Sequence, residues 1–502
     1  MSMIYSDYNR DRIGWFFGVS GWQLALLAGS ALPVAVSLQH GAWLTALGFT
    51  AAWVLILVIT VVPVRGRSAS GWFLASTAFA IGGLARWTRW RSKASTGQIE
   101  NLTEADLPGV LNGVEVHDGP PQGPELVRVA IIQNHAAKTW AVTAAITHPG
   151  IGMRDAHDRD RQAQGLSELL DLASRTELID ELLIIVRTVP DDGAERGLWI
   201  AGHRRSSGPS LARQVNDDLR QRLTAASVRT EVFVTIVVPE TRIARAAKES
   251  GGGLDGRAWV LYGLMGEVES PLRGGLGMTQ VRWLTSPELA VACRTGFAPA
   301  DRAAIVEALA AQKLDPGVNA DVPWAMAGPA GANAAVRFYS HDAWNSVSST
   351  IKLPAKGSVI GALAPVLTPG EAGERRSFLV AFPILRQSAA DRRTANSEWA
   401  ADLGEELRRK AKVKQRAKSR VETAKARGLD AKLVRGSALT RPYAVCTVTV
   451  PKTARITEFG RRLDAAVRRA GYAPMRLDLS HDVGFAASVI PLGVSLTRRG
   501  DA

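Results

Sequence analysis

The sequence predicts a membrane-anchored α+β protein: an N-terminal two-span helical hairpin with an interfacial helix, then soluble units that mix helices and strands. Three observations lead there. Two uncharged apolar stretches, residues 22–38 and 42–62, lie back to back, each close to the ~20 residues that cross ~30 Å of hydrocarbon as a helix. Lysine and arginine flank the open ends of this pair, and the turn has none. The roughly 400 residues that follow alternate strand-like runs with amphipathic helical ones, enough chain for two or three domains.

Only Gln39, His40 and Gly41 separate the two stretches, so their helices run antiparallel. Arg10 and Arg12 precede them; Arg65, Arg67, Arg86, Arg89, Arg91 and Lys93 follow. The positive-inside rule then places both chain ends in the cytoplasm. The expected location is the inner cell membrane, multi-pass, with the soluble region cytoplasmic. A cleaved signal peptide does not account for two long spans.

Residues 71–84 (GWFLASTAFAIGGL) form a third apolar run, interrupted by Gly82 and Gly83 and ending in ARWTRWRSK. That pattern predicts an interfacial helix over about 71–92. Trp15, Trp22, Trp43, Arg65, Arg67, Trp72, Trp87 and Trp90 are the expected anchors at headgroup level, because indoles and cations favour that boundary. A full crossing by 71–84 is the alternative, and it would move the soluble part to the other side.

The net charge of +14 favours anionic lipid or nucleic acid without choosing between them. Two cysteines, Cys293 and Cys446, make neither a disulfide framework nor a metal cage, as in a reducing compartment.

Residues 1–93 read as the membrane anchor and 94–250 as a first α+β unit. That unit has a linker over 94–124, a hairpin of 126–133 with 139–147, a helix at 158–173 and a strand at 182–189. A helix then opens near Pro209, where Leu211, Val215, Leu219 and Leu223 predict one buried stripe, and the strand 231–238 closes the unit. Residues 251–330 read as a helical segment, with Ser286 and Pro287 starting one helix and Gly296 ending it.

A second unit, 331–502, has strands near 335–339 and 377–383, a long basic helix at 396–427 and a strand at 443–450. A helix with Ile456, Phe459, Leu463, Val467 and Ala470 stops at Gly471; a strand at 475–479 and the apolar FAASVIPLG finish the chain. Two such mixtures of hairpin, helix and strand predict ferredoxin-like units, a diverged duplication without an exact sequence repeat.

The search for chemistry finds little. No Gly-x-x-x-x-Gly-Lys-Ser/Thr phosphate loop occurs. Gly251, Gly253 and Gly256 have dinucleotide-motif spacing but lack the preceding strand, so they predict a flexible turn. Asp155, His157, Asp158 and Asp160 begin a helix, where carboxylates complement the dipole. His481 beside Asp482 has no nucleophile signature around it. The expectation is a non-enzyme with no cofactor and no metal.

Eight basic residues crowd one predicted helix: Arg408, Arg409, Lys410, Lys412, Lys414, Arg416, Lys418 and Arg420. Their charges surround the helix. Solvent, anionic lipid, an acidic partner and nucleic acid all fit them, although the near-absence of aromatics argues against base stacking.

The first ninety residues resemble the PrgI-like small inner-membrane subunit of type IV (conjugative) secretion systems. The match lies in NRDRIGWFFGVSGWQL, the two-span hairpin, then VPVRGRSASGWFLA and an expected Arg/Trp-rich helix. The remainder resembles, more loosely, the N-terminal region of TraC-like conjugative ATPases, through GLDGRAWVLYGL, SPELAVACRTGF and the passage closing in FAASVIPLG. In that family a comparable segment precedes the motor domain, so the chain looks like a fusion whose motor has been split off; together these similarities resemble a membrane-protein family of actinobacterial conjugative elements.

The resemblance implies a non-catalytic scaffold that docks a separately encoded P-loop ATPase at the cytoplasmic face of the channel. Partners would be that ATPase, membrane lipid and further copies of the chain in a homo-oligomer, with direct nucleic-acid contact as a variant. Two other classes remain open: a type VII secretion component resembling EccE, and a membrane-associated enzyme of unknown substrate.

Overall fold

The computed structural model describes residues 21–61, 63–64, 67–150, 155–204, 207–352, 361–371, 373–385 and 437–496. The chain divides into two compact units, one of residues 7–88 and one that begins at Arg89.

In the N-terminal unit, helices Gly21–Gln39 and Trp43–Val61 pack side by side across a turn in which Gly41 takes φ 67°. β1 (Pro63–Val64) and β2 (Arg67–Ser68) form a two-residue ladder, and the helix Ala69–Leu84 follows. That helix is shorter than the 71–92 expected. Arg86 enters the left-handed region (φ 61°), and the Trp87 N–H reaches back to the Gly82 carbonyl at 2.8 Å. This six-residue return ends a helix, and Arg89–Arg91 leaves as a strand.

The second unit is mixed α+β around one large antiparallel sheet. Its strands are β3 (Arg89–Arg91), β4 (Val114–Asp118), β5 (Ala130–Asn134), β6 (Thr139–Thr147), β7 (Glu181–Pro190), β8 (Val228–Pro239) and β9 (Gln280–Trp283). β10 (Gly331–Ala334), β11 (Tyr339–His341), β12 (Trp344–Lys352), β13 (Arg375–Pro383), β14 (Tyr443–Pro451) and β15 (Ala473–Arg476) complete the set described. The order is β3-β10-β11-β12-β14-β13-β7-β8-β6-β5-β4, with β9 beside β6 and β15 beside β12.

The sheet contains one topology twice. In the first half β9-β6-β8-β7 lie in that order, and a helix-bearing segment follows both β6 and β8; β15-β12-β14-β13 repeat the order and the connections. The registers also correspond. Glu181 pairs with Val237, two residues before the strand-ending Pro239; Arg375 pairs with Thr449, two before Pro451. Glu181 and Arg375 are therefore equivalent, as are Ile185 and Leu379 four residues on. Those last two pair with each other where the halves join, so a pseudo-twofold axis passes between them. A buried Thr143–Thr235 hydroxyl bond (2.9 Å) in one half has its counterpart in Ser348–Thr447 (2.7 Å) in the other.

Both sheet faces are covered, which explains the near-continuous apolar text of β7 and β14. On one face, helices Ala156–Arg175 and Gly253–Gly274 cover the first half around Leu169, Ile236 and Leu261; helix Ile456–Arg469 covers the second around Val347, Val448 and Leu463. The opposite face carries helices Ser286–Phe297 and His481–Val489 over one core that spans both halves, including Ile185, Phe297, Leu379 and Phe485. Gly165 lets two helices cross closely: a Cβ there would lie 2.3 Å from the Gly275 backbone.

Several sequence expectations need correction. Residues 94–124 contain two 3-10 turns and β4, so they are part of the fold as well as a link. Residues 251–330 are not a separate helical segment, because β9 returns to pair with β6 and completes the first half. The strand expected near 335–339 falls mostly on the turn that joins β10 to β11. β12 was not anticipated at all. The basic helix expected at 396–427 lies outside the described residues.

Candidate membrane anchor and exposed helical face

In the N-terminal unit, one helix has an 18-residue window, Trp43–Thr60, long and apolar enough to cross a membrane. Ala25–Gln39 and Trp72–Leu84 are shorter apolar helices. Gly29, Ser30, Pro33, Ser37 and Gln39 dilute the first of these. Leu44 is 88% exposed, and Leu47, Leu55 and Ile59 also face outward. The Trp53 indole N–H donates to the Leu27 carbonyl at 3.0 Å, tying the two hairpin helices together. Ser37 and Thr50 return their hydroxyls to carbonyls four residues back, so these polar groups are satisfied within the helix, as hydrocarbon requires.

The expected interface anchors fall into three groups. Trp43 and Trp87 are exposed and Trp72 is half-buried. Trp22 lies in the first helix and Arg67 in β2, while Trp15 and Arg65 fall outside the described residues. Trp90 belongs elsewhere: it sits in β3 opposite Ala332 and packs against the core spanning both halves. The strand geometry after Arg86 turns its indole onto the sheet. Arg408, Arg409, Lys410, Lys412, Lys414, Arg416, Lys418 and Arg420 also lie outside the described residues.

Asp155 caps its helix by accepting from the Asp158 N–H at 2.8 Å, which holds its carboxyl below the usual range. Among the described residues no group of three or more His, Cys, Asp or Glu is placed to hold a metal. Gly251, Gly252 and Gly253 all take positive φ in a turn between two helices, and a Cβ on Gly256 would collide with the Ala247 carbonyl. Those glycines serve a tight helix–helix connection. Cys293 and Cys446 are fully buried, and burial pushes both thiols up to about 12.

A small cavity of about 20 Å³ lies where β7 ends and β13 begins, beside Arg187, Arg375, Arg376, Thr295 and Val489. Arg187 donates to Glu231, to the Ala292 carbonyl within one helix (2.9 Å) and to the Val489 carbonyl at the C-terminal end of the other (3.1 Å). Cations complement helix C-termini. Arg376 donates to Glu374 and to the Pro365 carbonyl. Two of the three guanidiniums thus lock elements together, and the space left suits a water molecule.

Among the described residues of this unit, the insertion between β7 and β8 carries a run of exposed apolar side chains. Helix Ala194–His203 presents Leu198 and Trp199, and the Trp199 ring stacks on His203 at 4.4 Å. It is held to the body by Arg302, which bonds Asp192 (2.7 Å) and Glu195 (2.6 Å). Helix Ser210–Ala226 follows, with Leu211, Val215 and Leu219 exposed. The stripe predicted as buried from their spacing is real, but it faces solvent; the Leu223 side chain is outside the description. Periodicity reveals that a face is apolar, not what covers it. Trp199 gave no signal of this kind in the sequence. No protein-family model and no characterised protein matches the sequence.

Proposed function

We propose that this chain is a non-catalytic membrane scaffold of a type IV secretion-like system, made of a two-span anchor and two ferredoxin-like units joined edge to edge. The anchor, multi-pass in the inner membrane, holds the soluble region at the cytoplasmic face. There the soluble region docks a separately encoded P-loop ATPase. The observation that carries this reading is the contrast in apolar surface. Trp43–Thr60 keeps only 11% of its residues buried, whereas the sheet buries its large side chains in three cores. An apolar helix left open in water is stable in lipid. The order 4-1-3-2 in each half, with helices after the first and third strands, supports the ferredoxin-like assignment.

Two measurements test it. Protease should digest the C-terminal region only after the membrane is opened; digestion in intact, right-side-out cells would overturn the topology. Purification from the native membrane should recover an ATP-hydrolysing subunit with the chain. Its absence, or ATP turnover by the pure chain, would overturn the scaffold.

A further inference from the structure

The strands that join the two halves of the sheet, β7 and β13, carry like charges on one face. Arg187 pairs with Ser377 across the ladder, and Arg375, two residues before Ser377, points to the same side. All three line the cavity of about 20 Å³ at this join, beside Thr295 and Val489 from the helices above. Arg187 comes from the first half of the sheet, Arg375 and Ser377 from the second.

Charge does not balance there. Glu231 engages Arg187 and Arg229, Glu374 engages Arg376, and Asp192 engages Arg302. Among the described residues no carboxylate lines the cavity. Arg375 has its guanidinium stacked on Trp344 at 4.3 Å, while Nε and Nη1 are buried without a hydrogen-bond partner among those residues. The Ser377 hydroxyl, on a residue 5% exposed, is a further buried donor in the same situation.

A buried cation without a counter-charge is costly, and so is a buried donor without an acceptor. A water molecule would answer the hydrogen bonds and leave the charge; an anion answers both. Space for one water-sized particle admits a monatomic anion and excludes sulfate, phosphate or an organic acid. Gly296 keeps that space open, because a Cβ there would lie 3.0 Å from Arg187 Nη1 and 2.7 Å from the Ile490 side chain.

We infer that this cavity is a halide site, filled by chloride, which the Arg375 guanidinium and the Ser377 hydroxyl hold where the two halves of the sheet join. Chloride thereby fastens the join. The site goes beyond the scaffold reading and does not depend on the membrane topology.

The test is thermal unfolding of the full chain in detergent as sodium chloride replaces sodium gluconate at constant ionic strength, gluconate being too bulky to enter. An ion that binds the folded join alone should raise the melting temperature saturably, by at least about 2 °C. Arg375→Met should abolish the rise, and Ser377→Ala should move half-saturation to at least about threefold higher chloride. Chloride NMR reads binding without reference to stability: the wild type should broaden the chloride line, bromide should compete the excess away, and Arg375→Met should lack it.

The same chloride response in wild type and Arg375→Met overturns the inference, because the ion then acts elsewhere on the surface. Absence of excess broadening by the wild type overturns it as well and leaves the cavity to water. Neither result bears on the protease topology or on recovery of an ATP-hydrolysing subunit, so the site and the scaffold reading fail separately.

Discussion

Acid should destabilise this protein through His341. The ring is fully buried among Phe297, Tyr339 and Phe485, the last with its centroid 4.3 Å away. Nδ1 lies 2.8 Å from the Phe297 carbonyl, so it must carry the proton and donate. Nε2, 2.9 Å from the Ser346 hydroxyl, therefore accepts, and the Ser346 oxygen lies 2.7 Å from the Thr449 hydroxyl. Protonating Nε2 would reverse this buried chain and place a charge in an apolar core. Burial pulls the imidazole down to about 3, with Lys452 and Arg375 adding repulsion and the Phe297 bond opposing.

A base whose folded pKa lies below its unfolded value of 6.5 binds its proton mainly when unfolded. The contribution to stability is thus intact above about pH 6.5 and is lost as pH falls toward 3. At pH 5 the cost is about 2 kcal/mol, from ~1.4 kcal/mol per pH unit. Urea unfolding of the full chain in detergent at pH 7.5 and pH 5, for wild type and His341→Asn, isolates this group from other titrations. Asparagine keeps a donor for Phe297 and has no titration there. Wild type should lose about 2 kcal/mol more than the variant across that interval; equal losses would refute the neutral buried imidazole.

Three further outcomes follow from the same coordinates. Ile185→Ala and Leu379→Ala, which pair at the pseudo-twofold axis and are almost completely buried, should each cost about 2–5 kcal/mol in urea unfolding, with the double variant departing from additivity because they touch. Leu55→Arg, near the middle of the long apolar helix, should impair insertion by about 2.5–3.5 kcal/mol, seen as a soluble or degraded fraction after carbonate extraction. Arg375 stacks on Trp344 at 4.3 Å with Nε and Nη1 buried and lacking hydrogen-bond partners among the described residues, and burial lowers its pKa to about 9; Arg375→Met should raise stability by about 1–3 kcal/mol, and a lower melting temperature would mean that the stacking dominates.

Legibility from sequence tracked how strongly each element advertises itself. β7, β8, β13 and β14 are long, β-branched and buried on both faces, and each was placed within a few residues. Helix Ser286–Phe297 was placed at its start because Ser286 and Pro287 open it; Thr285 and Glu288 form the capping box there. β12 was invisible because WNSVSSTIK carries Ser346, Ser348 and Ser349 where an inward apolar residue was expected. Their hydroxyls are buried against Thr449, Thr447 and Asp464, so hydrogen bonds replace apolar contact in that strand. β9 is four residues long, too short for alternation to register, and the strand expected at 475–479 lies two to three residues earlier as β15. The chemistry-bearing clusters were legible as ordinary: Asp155 is a cap, and the Gly251–Gly253 run is a turn.

The repeated topology explains how the sheet closes its edges. Each half alone would expose a long strand, β7 or β13, as an edge open to pairing with other chains. Joining them through eight register pairs removes both edges and leaves the short β3 and β4 outermost. Strands that neighbour as β7 does β8, and β13 does β14, need only a tight hairpin. Here the connections are 191–227 and 384–442 instead. Neither length is required by the sheet. Because β7 and β13 run antiparallel, with Pro383 opposite Glu181, the two insertions leave from opposite ends of the sheet. One carries Leu211, Val215 and Leu219 exposed along one helix, the other the run from Arg408 to Arg420 in its sequence. The two halves of the sheet thus carry insertions of unlike composition at opposite strand ends.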